Sequence, residues 1–229
     1  MQYRRLKAIP KAVQRMFGIS PKADGIRKYE HPTLLKFRSL IRKDDFPSVL
    51  TAIEKDPPKI EYLIGLLSYP KCELCAVAII SQLAKSDFDI SLALPSLEEK
   101  LYSPDRNVVA YAASALTFHH LNESNMQHVD SLFSDPTETS SFGCSDALRS
   151  LAFAGDRKVL IYLVGKVFAK DVGEAAKKIL RQVAETGTDG VRGDLKKAIL
   201  DFEMDMREHP EIPCLEAYRE FQDVLEAIK

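Results

Sequence analysis

The residues whose types and spacing could do chemistry in this 229-residue chain are four cysteines, a histidine pair and a run of spaced glycines. Cys72-Glu-Leu-Cys75 is the one C-x-x-C. Vicinal thiols at this spacing can hold a soft metal or cycle between dithiol and disulfide. A structural zinc site needs two further ligands from a second close pair, and Cys144 and Cys214 do not supply one. A redox pair normally opens a helix that follows a strand, whereas the surrounding pattern is helical throughout. Positions three apart on a helix share a face, so the pair reads as two small buried side chains. His119 and His120 are adjacent and point about 100° apart, so they cannot take one metal as an i, i+4 pair would. A place near a helix C-terminus accounts for at least one of them, with His128 not far beyond. Gly187-x-x-Gly190-x-x-Gly193 lacks both the spacing and the preceding strand of a dinucleotide loop. It reads as linker, as does Arg192-Gly193-Asp194, a cell-adhesion tripeptide short enough to recur by chance.

Walker loops, G-x-S-x-G, H-E-x-x-H and paired carboxylates do not occur. The expectation is therefore a protein that is not an enzyme, with no cofactor and no metal.

Charge is the stronger signal. The net charge is −1, yet residues 1–43 hold twelve Lys or Arg against Asp24 and Glu30, a net +10, which leaves −11 for the remainder. Arg4, Arg5, Lys7, Lys11, Arg15, Arg27, Lys28, Arg38, Arg42 and Lys43 are the candidate contacts to an anionic partner. In the opening segment Leu6, Ile9, Val13, Met16 and Phe17 fall at helical spacing with the basic residues on another face, and Pro10 interrupts. Three readings stay open for it: a cap over the first helices, a nucleic-acid or anionic-surface contact, or a targeting presequence. Nine acidic residues against two arginines between Asp201 and Glu226 oppose it at the other end. That separation also allows head-to-tail self-association.

The positioning elements read as helices. No apolar run approaches the roughly 18 to 20 residues of a membrane span, and no apolar stretch follows the first basic residues. With few cysteines, the expectation is a soluble, cytoplasmic protein without a secretory signal. The absence of Trp, with Leu, Ile, Val and Ala in supply, suits helices packed through small side chains.

Residues 1–30 read as a basic segment and connector, and 31–229 as one all-α domain. Helix pairs recur through it, with breaks at Pro70, Pro104, Pro136 and Asp171, separated by 34, 32 and 35 residues. Asp135 to Asp146, DPTETSSFGCSD, is longer and more polar than the other breaks and reads as an inserted loop open to a partner or to modification. ETGTDGVRGD after Val183 reads as a Gly-rich break, and 194–229 as an acidic C-terminal cap.

Recurrence of two-helix units at this period is the mark of an α-solenoid. The stretch from Leu94 to Leu116, LPSLEEKLYSPDRNVVAYAASAL, resembles the HEAT-repeat family: a leucine-bearing helix with Pro near its start, a Pro-Asp turn, then Val-x-x-x-Ala-x-x-Ala-Leu. The resemblance covers roughly 57–185. It departs where many such units carry Arg after the Val, since Val109 stands there and Cys75 at the matching place one unit earlier. Armadillo-like stacking stays open. The resemblance implies a right-handed α-α superhelix of about five helix pairs, acting as a protein-binding scaffold or adaptor through its concave surface. Nucleic-acid binding through the basic N-terminal region is the alternative. Among enzymes on such repeats, deoxyhypusine hydroxylases carry His-Glu dipeptides and alkylpurine glycosylases use tryptophan-lined grooves, and this chain has neither. Bilin lyases of the repeat type find no residue here to support them.

Overall fold

The computed structural model describes residue 48, residues 60–70, 72–135 and 138–208, and positions 221, 222, 224 and 226. Among these it is all helical, with no strand. The chain divides into two compact units between Glu123 and Ser124.

In the first unit, α1 (Ile60–Leu66) buries Tyr62, Leu63 and Leu66. The second helix, α2 (Glu73–Lys85), buries an unbroken run from Cys75 to Ser81, then Leu83 and Ala84. A helix covered on nearly every side is a central one, and α2 packs against both α1 and a later helix, α4. Between them come a 3-10 turn (Ser91–Ala93) and α3 (Leu94–Lys100). Pro95 sits in the first turn of α3, where its missing N–H costs nothing.

The next helix, α4 (Arg106–Asn122), is capped by Asp105, whose backbone is extended and whose carboxylate accepts the Asn107 N–H at 2.9 Å. The Ser103-Pro104-Asp105 break thus works as its residues dictate. The packing of α2 on α4 has small buried side chains on both helices, Ala76, Ala78, Ser81 and Ala84 on α2 and Ala112, Ala113, Ser114 and Ala115 on α4. Its buried hydroxyls are satisfied: Ser81 Oγ donates to Ser114 Oγ at 3.2 Å, and Thr117 Oγ1 to the Ala113 carbonyl at 2.8 Å.

The second unit holds α5 (Met126–Phe133), α6 (Glu138–Phe153), α7 (Arg157–Lys166), α8 (Gly173–Thr186) and α9 (Asp189–Glu208). Here α6 packs on α5 and α8, and α7 on α8 and α9. At the α6–α7 corner Gly155 takes φ +79°, its N–H bonds the Ala152 carbonyl, and the Asp156 N–H bonds that of Leu151. This closes α6 as a left-handed C-terminal turn, and Asp156 is already the N-cap of α7, accepting the Val159 N–H at 3.1 Å. Phe168, Phe202 and Phe221 form an aromatic cluster with centroids 5.6 to 6.2 Å apart.

Two readings of the sequence are corrected here. The stretch Asp135–Asp146 is not a loop along its length, because α6 begins at Glu138. Ser140, Cys144, Ala147 and Leu148 make an inward stripe, and burial of that stripe overrides the weak helix propensity of its Ser, Thr and Gly. The break after Val183 is also shorter than expected. Only the corner around Gly187 and Thr188 interrupts the helices, and Gly190 and Gly193 lie inside α9 on its exposed side. Arg192-Gly193-Asp194 is therefore helical.

Candidate functional site

Of the residues singled out by type and spacing, the ten basic ones, Arg4, Arg5, Lys7, Lys11, Arg15, Arg27, Lys28, Arg38, Arg42 and Lys43, lie outside the described residues, and so does Cys214. Cys72 and Cys75 fall at the start of α2. His119 and His120 occupy the last turn of α4 with their rings edge to face, centroids 5.4 Å apart. The Asp89 carboxyl is held below the usual carboxylate range by hydrogen bonds from the Ser91 side chain and backbone, with a smaller contribution from the charge of His119. His128 is exposed on α5. Among the described residues, no group of three or more His, Cys, Asp or Glu is placed to hold a metal ion, and no helix is long and apolar enough to cross a membrane.

One ionisable cluster joins helices in the second unit. Tyr162 OH donates to Asp130 Oδ1 at 2.7 Å, and Lys166 Nζ reaches the same oxygen at 2.8 Å while lying 5.3 Å from the Tyr162 ring centroid. Burial first, then the bond to Asp130 and its charge, push the Tyr162 phenol far above its ordinary range. A phenol so held stays a donor, and the contact clamps α5 to α7. Tyr162→Phe is expected to cost about 1 kcal/mol, read as a lower urea midpoint with an unchanged slope.

Sequence reasoning missed the pattern to which this clamp belongs. Ser81 meets Ser114 across 33 residues, Asp87 accepts from Asn122 Nδ2 at 2.8 Å across 35, and Asp130 meets Tyr162 across 32. These separations are close to those of the sequence breaks; Ser81–Ser114 joins α2 to α4 and Asp130–Tyr162 joins α5 to α7, while Asp87 lies in the turn after α2. The signal lay in polar residues recurring at that interval, which apolar periodicity passes over.

Outside these contacts, large apolar side chains remain in solvent. In the first unit Leu92 is 64% and Tyr102 89% exposed. In the second, Phe142, Ile161, Leu200 and Met204 are exposed, the last at 62%. Ile161 on α7 and Leu200 and Met204 on α9 belong to two helices tied by the Arg157–Asp201 pair at 3.3 Å. Apolar side chains on helices bordered by charge form the kind of surface that proteins use for contact.

No family model matches the chain, and no curated protein sequence matches it. Among solved structures, the crystal structure of an engineered protein is similar at 19% identity, over 78% of this chain and 83% of that one, with a TM-score of 0.37.

Proposed function

We propose that this chain is a non-catalytic helical-repeat protein, a HEAT-like right-handed superhelix of about five helix pairs that acts as a cytoplasmic scaffold or adaptor for a protein or peptide partner. The observation that carries the reading is the set of polar contacts made across 32 to 35 residues, close to the separation of the sequence breaks. Contacts at the repeat interval are what stacked units make, because each unit completes its core only on its neighbours. Stacked helices offer an extended surface, and affinity then comes from several apolar anchors spread along it. Leu92 and Tyr102 are the anchors of choice in the first unit, and Ile161 and Met204 in the second.

The test places a photo-crosslinking residue at each of those four positions and at Glu98 and Lys178, which are exposed and charged. A partner is expected to crosslink from the apolar positions, and Leu92→Asp or Met204→Asp to weaken its binding about tenfold, as loss of a modest anchor does. Equal crosslinking at all six positions, with binding indifferent to both substitutions, rejects the reading.

The charge separation between residues 1–43 and the rest supports a second reading, nucleic-acid binding through the basic N-terminal region. It requires affinity for an oligonucleotide to fall steeply with salt. Binding that is flat between low and moderate salt rejects it.

A further inference from the structure

Cys72 is the N-cap of α2, with φ −109° and ψ −15°, and Cys75 lies in the first turn of the same helix. Cys72 is half-buried and Cys75 is buried. An N-cap is where a Ser or Asp oxygen ordinarily accepts a hydrogen bond from a first-turn N–H, and Cys72 makes no side-chain cap bond. A sulfur at a helix N-terminus lies where the helix dipole favours ionisation to the thiolate.

The surroundings favour the same event. Glu73, between the two cysteines, has its carboxylate tied to Lys100 Nζ at 2.7 Å, so its charge is offset beside the sulfur. Tyr62 and Tyr69 are pushed above their ordinary range, by burial first, then by the charge of the thiols: Cys72 and Cys75 for Tyr62, Cys72 for Tyr69. The Tyr69 hydroxyl is buried without a hydrogen-bond partner.

We propose that Cys72 and Cys75 form a reversible dithiol–disulfide pair, the half-exposed Cys72 as attacking sulfur and the buried Cys75 as resolving sulfur, with a disulfide from solvent as oxidant. The Cys72 thiolate attacks one sulfur of that disulfide, forms a mixed disulfide and expels the other sulfur as a thiolate. Cys75 then attacks Cys72 Sγ, closes the internal disulfide and expels the second thiolate, which takes up the Cys75 proton. The protein loses two electrons and two protons, and the incoming disulfide becomes two thiols. Residues three apart on a helix have Cβ atoms about 5–6 Å apart, against about 3.5–4.5 Å in a disulfide. Cys72 stands at the boundary of the helix, where its carbonyl accepts the Ala76 N–H at 2.8 Å, so closing the disulfide loosens the first turn and leaves later ones intact.

The test equilibrates the full chain in reduced and oxidised glutathione at graded ratios, quenches with acid, and maps blocked thiols by peptide mass. A species two hydrogens lighter, with the bond between Cys72 and Cys75, is expected. Cys75→Ser and Cys75→Ala should both accumulate the glutathione adduct on Cys72, and Cys72→Ser should form neither product. In the wild-type chain at neutral pH, Cys72 should alkylate faster in the folded chain than in the chain unfolded in urea, as a sulfur at a helix N-terminus in a C-x-x-C does. The proposal falls if the folded chain alkylates no faster than the unfolded one. It falls equally if the disulfide maps to Cys144 or Cys214, or if neither Cys75 variant holds the adduct while keeping its helical circular dichroism. Should both variants lose that signal, the wild-type alkylation ratio decides the matter.

Discussion

Phe133→Ala should cost the fold about 3–5 kcal/mol, the range for removing a large buried aromatic side chain. Phe133 is among the largest fully buried residues, at 1% exposure, and its ring lies 6.5 Å from that of Tyr162, the donor of the clamp on Asp130. The cavity would open at the end of α5 beside the contact that holds α5 to α7, so lost packing and lost positioning add. Phe142, nine residues on, is 64% exposed. Phe142→Ala should stay within about 0.5 kcal/mol, as surface changes do. Urea unfolding followed by circular dichroism measures both, and a cost below about 1 kcal/mol for Phe133→Ala would contradict the placement of this ring in the core.

Gly173→Ala and Gly190→Ala should move stability in opposite directions. A Cβ on Gly173 would stand 2.5 Å from the Val167 carbonyl oxygen and 3.3 Å from its carbon, so the backbone closing the α7–α8 corner would have to give way. Overpacking of this kind costs about 1–3 kcal/mol. A Cβ on Gly190 meets nothing within 4 Å, and the residue lies in the first turn of α9. Alanine there should be neutral or stabilise by up to about 1 kcal/mol through the lower entropy of the unfolded chain. Thermal melts of the two variants, side by side with wild type, test the difference in sign. Equal shifts would mean that the α7–α8 corner is not packed as described.

Much of the helical layout was legible because its signals are local. Asp105 two residues ahead of the Asn107 N–H, Pro95 in a first turn, and the leucine and valine stripes of α1 to α5 are statements about neighbours within a few residues. What was not legible depended on distant ones. Ser140, Gly143 and Cys144 are weak helix formers, and only the core they face makes them a helix. Gly190 and Gly193 read as linker by type, yet Thr188 starts a helix over them, its carbonyl accepting the Arg192 N–H at 2.9 Å. For the candidate site, the C-x-x-C spacing was visible. Its position at a helix start, with one sulfur half-buried and the other buried, required the boundary of α2 and the packing of α1 against it.

The corner Ala154-Gly155-Asp156 carries a consequence for how this sequence can drift. Gly155 ends one helix and Asp156 begins the next, so three residues write both a stop and a start with no spacer between them. An inserted residue would part the left-handed stop at Gly155 from the cap at Asp156, so the two helices could no longer turn on three residues. Length at this corner is thus set by the same residues that set its conformation.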